Sequence, residues 1–242
     1  MNPLASRMFA RASTCCVVVV AIAYCVATSF HQPALGQSAT QTTTAAKPAA
    51  PSHPGDVHLD SSRIYVFVDK TGFGHQHAVM GKLASGNLRL DGSGAGQLVF
   101  DMTSFDADSD HARKYLGLSG STDASTRQQV NANMLGADVL NVKRYPEARF
   151  DLQSAKSLDK PSRRGLPQYE LQGDFTLHGV KRSIRFTADG EEQNGWLHLR
   201  GGFSILQSHY GITPFSKAFG AVGVADQLQI WGDLWVLPAA AR

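Results

Sequence analysis

Tyr169–Phe186 reads YELQGDFTLHGVKRSIRF, and its side chains sort onto two faces. Tyr169, Leu171, Phe175 and Leu177 alternate with Glu170, Gln172, Asp174 and Thr176. Beyond His178 and Gly179 the apolar parity flips to Val180, Ile184 and Phe186, with Lys181, Ser183 and Arg185 between them. A two-residue reversal joining antiparallel strands that share one buried face produces such a flip. Arg182 alone falls in register with the apolar side, so it belongs at the open rim of the sheet or beside a buried acceptor. A hairpin that buries one face needs a partner layer. With few helical patterns in the chain to supply it, the sheet is expected to curl onto itself as a sandwich or barrel.

The same alternation recurs on both sides of the hairpin. Arg63–Asp69 alternates around Ile64, Val66 and Val68 as a first strand. In Ala78–Leu90 the apolar set slips from Val79 and Leu83 to Leu88 and Leu90 across Ser85, Gly86 and Asn87, which marks a bulge. Asp91–Gly96 (DGSGAG) is a turn into the strand Gln97–Met102. Thr103–Gly120 shows no period and reads as an irregular crossing; the spacing of Asp101, Asp106, Asp108 and Asp110 fits no calcium loop, so they read as solvated carboxylates. Asp123–Leu135 reads as the one helix, with Asp123 as N-cap, Val130 and Met134 one turn apart, and Gly136 as the stop.

Strand patterning returns at Glu147, where Ala148, Phe150 and Leu152 alternate. After the polar loop Asp159–Pro167 and the hairpin come the turn Gly190–Gly195 and the strand Trp196–Gln207, with Leu197, Leu199, Phe203 and Ile205 on one face. Gln227–Leu237 ends the series, with Leu228, Ile230, Leu234 and Val236 inward and Gly232 interrupting that face without polarity. The sum is about eight strands and one helix, an antiparallel barrel with the helix between its early and late strands.

The N-terminal part has a different character. Arg7 and Arg11 precede the apolar run Cys15–Phe30 and the small-x-small site Ala34-Leu35-Gly36, which read together as a secretory signal peptide over residues 1–36, cleaved near Gly36. An uncleaved anchor is the alternative. The Thr-, Ala- and Pro-rich residues 37–56 read as a disordered tether, leaving one domain over 57–238. The expected location is periplasmic or secreted. Cys15, Cys16 and Cys25 all fall in the segment to be removed, so the mature domain is held by its core alone and has no thiol for catalysis or zinc. Losing Arg7 and Arg11 lowers the net charge from +3 to +1. Only Lys160–Arg164 (KPSRR) approaches a basic cluster, so nucleic acid is not an expected partner.

Five stretches stand in order along this domain: Leu59–Ile64, His75–Gly81, Tyr145-Pro146 with Ala148–Phe150, Gly173–Lys181, and Tyr210–Ile212 with Val224–Leu228. Through them the chain resembles the YceI-like family of lipid- or polyisoprenoid-binding domains. The resemblance implies an extended antiparallel eight-stranded lipocalin-like β-barrel with a long apolar interior for a polyprenyl or quinone-type lipid. It requires no other cofactor.

A barrel of this size has an interior that side chains either fill or leave open for one ligand. Tyr169, Leu171, Phe175, Ile184, Phe186, Leu197, Phe203, Leu228 and Ile230 would line it. Each taken singly reads as ordinary core, and the binding expectation belongs to the set. His75, His77, Arg182, His209, Tyr210 and Lys217 would form a polar mouth for a headgroup. His75 and His77 are also the candidates for a metal, which needs a third ligand such as His178 or His209; the primary expectation is no metal.

No catalytic residues are assigned. Gly92-Ser93-Gly94 lacks the strand–elbow–helix setting of a hydrolase nucleophile, and no H-E-x-x-H occurs. The expected function is thus an exported lipid-binding protein. Its partners are an apolar isoprenoid-like ligand and, at most, a second copy of the chain, with no membrane span in the mature protein. The alternatives are a metal- or small-molecule-dependent enzyme using the His75/His77 mouth, and a ligand-free envelope stress or structural protein.

Overall fold

The computed structural model describes residues 53–91 and 96–238. The expected signal peptide, its cleavage site and most of the tether lie outside the described residues. Nine antiparallel strands form one sheet in the order β1-β2-β3-β4-β5-β6-β7-β9-β8, and β1 also pairs with β9. The long strands are β1 (Arg63–Gly72), β2 (His77–Leu88), β3 (Gly96–Ala107), β4 (Glu147–Leu158), β5 (Gln168–Leu177), β6 (Val180–Gln193), β7 (Trp196–Leu206) and β9 (Val222–Val236). They close an eight-stranded barrel, and the two-residue β8 (Ser216–Lys217) is an appendage on β9.

The hairpin that decided the reading is β5–β6. Leu177 pairs with Val180, and His178 and Gly179 both have positive φ, 52° and 78°, which is the twist that lets a two-residue turn join right-handed strands. Asn194 and Gly195 repeat the device between β6 and β7, so the expected six-residue turn at Gly190–Gly195 shrinks to two as β6 runs on to Gln193. The expected bulge is a register shift between Leu83 and Ser85. It opens room at Gly86 for Val57, which is buried and whose N–H donates to the Gly86 carbonyl at 3.0 Å. Gly55 N–H donates to the Leu237 carbonyl at 2.7 Å, so residues just before Val57 strap across this end of the barrel.

Thr103–Gly120 is not an irregular crossing. β3 continues to Ala107, and α1 (Asp110–Tyr115) follows, with Ser109 as its N-cap. The alternation was hidden by a second shift, between Met80 and Lys82, where β3 carries extra residues. Asp101 staples that bulge, its carboxylate accepting the Thr103 N–H and O–H at 3.0 and 2.5 Å. α1 packs outside the barrel, where Tyr115 stacks on the buried Tyr65 at 3.6 Å. α2 (Ala124–Leu135) starts on Asp123, whose carboxylate accepts from the Ser125 and Thr126 N–H groups at 3.0 Å. It lies over the barrel end opposite the Val57 strap. Asp106 anchors it, accepting from Asn131 Nδ2 at 2.7 Å and pairing with Arg127, while Asn131 Oδ1 accepts the Ala107 N–H at 2.7 Å.

Candidate functional site: an apolar cavity under a histidine–aspartate rim

The barrel is hollow. A cavity of about 200 Å³ runs inside it, and its lining is apolar apart from His77, Asn133 and Gln207. Strand alternation supplies the walls, and Val130 and Met134 of α2 close the top. Of the nine residues expected to line the interior, Leu171, Phe175, Phe186, Phe203, Leu228 and Ile230 do so. Their aromatic rings interlock, with centroids 5.5 Å apart for Phe175–Phe203 and 5.1 Å for Phe186–Phe203. Such edge-to-face and tilted contacts fix the rings while leaving the space beside them free.

Tyr169, Leu197 and Ile184 lie elsewhere. Tyr169 and Leu197 close over Gly190 near the strap end, where a Cβ would meet the Tyr169 ring at 2.7 Å and Leu197 at 3.1 Å. Ile184 borders a second, shallower concavity shared with Arg182, Ser204 and Tyr210. This concavity exists because the β6–β7 ladder pairs only Ala188–Gln193 with Trp196–Gly201. Beyond that point the two strands part, although each keeps its full ladder with the strand on its other side.

The expected mouth residues gather at the α2 end in two groups. Arg182 is exposed and spans the parting of β6 and β7, its Nε donating to the His209 carbonyl at 2.7 Å. Of the two places the sequence left for this arginine, it occupies the rim. Tyr210 sits one layer deeper than expected, 1% exposed, with its ring 5.7 Å from Phe175 and 5.9 Å from the Arg182 guanidinium. Burial pushes its hydroxyl above the ordinary tyrosine range. Lys217 is exposed on β8, its Nζ 5.3 Å from the ring of Phe215, which lines the cavity.

His75 and His77 form the second group, with ring centroids 4.5 Å apart. They converge on Asp108, an acid that the sequence placed among solvated carboxylates. Asp108 has φ of 56°, a left-handed conformation that short polar side chains tolerate, and its carboxylate is turned back under β2 and fully buried. Oδ2 lies 2.7 Å from His77 Nδ1 and 3.3 Å from His75 Nε2. Oδ1 accepts the Ala78 N–H and Arg113 Nη1, each at 3.0 Å. Burial pushes the carboxyl up, yet the hydrogen bonds from His77 and Ala78 outweigh it and hold the group far below the ordinary carboxylate range. Arg113 is itself consumed, its remaining N–H groups donating to the carbonyls of Gln76, Ser119 and Gly120.

His178 and His209, the histidines expected as third ligands, are not in this group. His178 packs on Tyr145 with centroids 4.2 Å apart, and His209 belongs to the Arg182 group. The sequence does carry one trace of the Asp108 arrangement. Ser109 followed by Asp110 is a helix-start signal, which would have ended the strand at Asp108.

Comparison with known proteins returns relatives in sequence and among solved structures. A UPF0312 protein of Pseudomonas putida (strain W619) is 35% identical over 82 residues, which is 33% of this chain and 40% of that protein. A UPF0312 protein of Pseudomonas savastanoi pv. phaseolicola is 38% identical over 69 residues, 28% of this chain and 33% of that protein. The chain thus aligns with well under half the length of these curated relatives. Among solved structures, Burkholderia cenocepacia BcnA matches 75% of this chain and 99% of its own, at 20% identity and a TM-score of 0.49. A polyisoprenoid binding domain from Saccharophagus degradans matches 77% of this chain and 100% of its own, at 12% identity and a TM-score of 0.49. The model of the YceI-like domain covers residues 56–234, from the strap to near the end of β9, and by that match the chain belongs to the YceI-like family.

Proposed function

We propose that this chain is an exported lipid-binding protein whose barrel holds the tail of a long apolar molecule of the polyisoprenoid or quinone type. The observation that carries this reading is the cavity, whose wall offers a ligand almost nothing to hydrogen-bond. Water inside would find almost no hydrogen-bond partners on such a wall, whereas an alkyl or prenyl tail removes apolar surface from water at about 25 cal/mol per Å². Membership in the YceI-like family supports the same ligand class. Among the described residues the polar members of the cavity lining, His77, Asn133 and Gln207, lie at the α2 end, so the tail points toward the strap and a headgroup toward Arg182 and the histidine pair. The basic signal-like N-terminus supports export. No catalytic step is proposed.

The direct test is native mass spectrometry of protein purified without detergent, followed by lipid extraction. A co-purifying apolar molecule in one-to-one ratio is the expected result. Absence of any such molecule, together with failure of the delipidated protein to take up polyprenyl and quinone probes, would overturn the reading.

A further inference from the structure

We propose that His75 Nε2, His77 Nδ1 and Asp108 Oδ2 form a three-ligand site for a first-row divalent cation of the zinc type at the mouth of the barrel. One ligand atom from each residue lies within 4.8 Å of the others, and Asp108 stands 33 and 31 positions along the chain from the two histidines. The β2–β3 register, with Val79 opposite Ala107, brings Asp108 beside Ala78, and the convergence then needs one more feature. It depends on the left-handed turn at Asp108, which aims the carboxylate under the two rings.

The surroundings match what a ligand carboxylate needs. Metal-binding carboxylates are oriented by outer hydrogen bonds, and here Arg113 and the Ala78 N–H fix Oδ1 while Oδ2 is left to face the histidines. Burial is graded: Asp108 is 0%, His77 17% and His75 45% exposed, so an ion would arrive from the His75 side. Two imidazole nitrogens with one carboxylate oxygen favour zinc and its neighbours over calcium or magnesium, which take oxygen ligands.

The rings must move slightly to accept an ion. Adjacent ligands on tetrahedral zinc, each 2.0–2.1 Å from the metal, stand about 3.3 Å apart. His77 and Asp108 are 2.7 Å apart in a direct hydrogen bond, so that contact opens by roughly half an ångström. The loop before β2 can yield, since Gly74 has φ of 138° and no neighbour within 4 Å of where its Cβ would lie. Arg113 already balances the Asp108 charge, so a bound dication would carry excess positive charge and an open position. His77 also lines the cavity, so the site adjoins the barrel mouth, where an anionic headgroup or water would complete the coordination.

The site rests on its own geometry and does not depend on what fills the barrel. The test uses the untagged full chain, stripped with chelator and titrated with Zn²⁺ by calorimetry, with bound metal counted by plasma mass spectrometry. Co²⁺ substitution reads the ligand set through its visible bands. One ion per chain is expected. His75→Ala, a half-exposed residue whose loss leaves the core intact, should weaken binding at least about tenfold and change the Co²⁺ spectrum. His53→Ala, at the opposite end of the barrel, should do neither. Substoichiometric metal in the wild-type chain, or equal binding by His75→Ala, would overturn the assignment.

Discussion

Gly232 is the sharpest probe of whether the barrel is hollow. It faces inward on β9 and lines the cavity, and an added Cβ would meet Leu234 at 3.5 and 3.7 Å and Ile64 at 3.9 Å, all ordinary contacts. Its backbone is not left-handed, so a side chain carries no conformational penalty. Gly232→Leu therefore directs its side chain toward the cavity. Removing a strand glycine gains roughly 0.5–1 kcal/mol relative to alanine. Three more buried carbons add roughly 2 kcal/mol, less about 0.5–1 kcal/mol of lost rotamer freedom. The delipidated variant should be more stable by roughly 2 kcal/mol, a rise in Tm of about 4–8 °C for a domain of this size. The same side chain takes space from a cavity of about 200 Å³, so co-purified lipid should fall. Guanidinium melts of delipidated protein and lipid counts by mass spectrometry read the two effects separately. Destabilisation by about 1–3 kcal/mol, the usual cost of overpacking, would mean that no space exists beside Gly232. A stabilised variant that keeps its full lipid load would show that the ligand sits elsewhere.

Arg113→Met strands the buried Asp108 carboxylate and should cost about 3–5 kcal/mol in chemical denaturation; a loss under about 1 kcal/mol would mean that the charge is not confined. The Asp108 carboxyl is depressed in the folded state, so its contribution is complete above the unfolded value near about 4 and drains as pH falls below it. Stability followed by circular dichroism should accordingly fall more steeply in acid for wild type than for Asp108→Asn. Gly179→Val forces a β-branched residue into φ of 78° against the Tyr145 ring and should destabilise by about 1–2 kcal/mol or more, whereas an unchanged melt would show that the turn is free to change type. Arg182→Leu should weaken binding of headgroup-bearing lipids by roughly tenfold, the scale of one charged hydrogen bond, while leaving bare hydrocarbon chains unaffected; equal losses on both would remove Arg182 from headgroup recognition.

The parts legible in the sequence are those governed by local period and local caps. The β5–β6 hairpin, the slip at Ser85–Asn87 and α2 with Asp123 and Gly136 are all written within a few residues of where they act. The parts that were not legible depend on pairs distant in the chain. β3 was cut short at Met102 because its bulge breaks the alternation, and α1, at six residues, is too short to show a helical period. The four acids from Asp101 to Asp110 look alike in sequence. In the fold Asp101 staples a bulge, Asp106 anchors α2, Asp108 joins two histidines, and Asp110 starts α1. The β2–β3 register, with Val79 opposite Ala107, brings Asp108 beside His77, and the unequal β6–β7 ladder moves Ile184 away from the main cavity.

That unequal ladder also sets how the cylinder deforms. The β1–β2 and β3–β4 seams are no longer than this one, with five and six pairs, but β6–β7 is stitched only from Ala188 to Gln193 although β6 begins at Val180 and β7 runs on to Leu206. Across the open part, stiffness comes from ring packing between Phe186 and Phe203 and from the single Arg182 bridge, which resist shear far less than a row of backbone bonds. Breathing of the wall will therefore concentrate on this one meridian, and the amides of Lys181–Thr187 and Gly202–Leu206 that point into it will trade their protons with solvent earlier than those on the rest of the circumference.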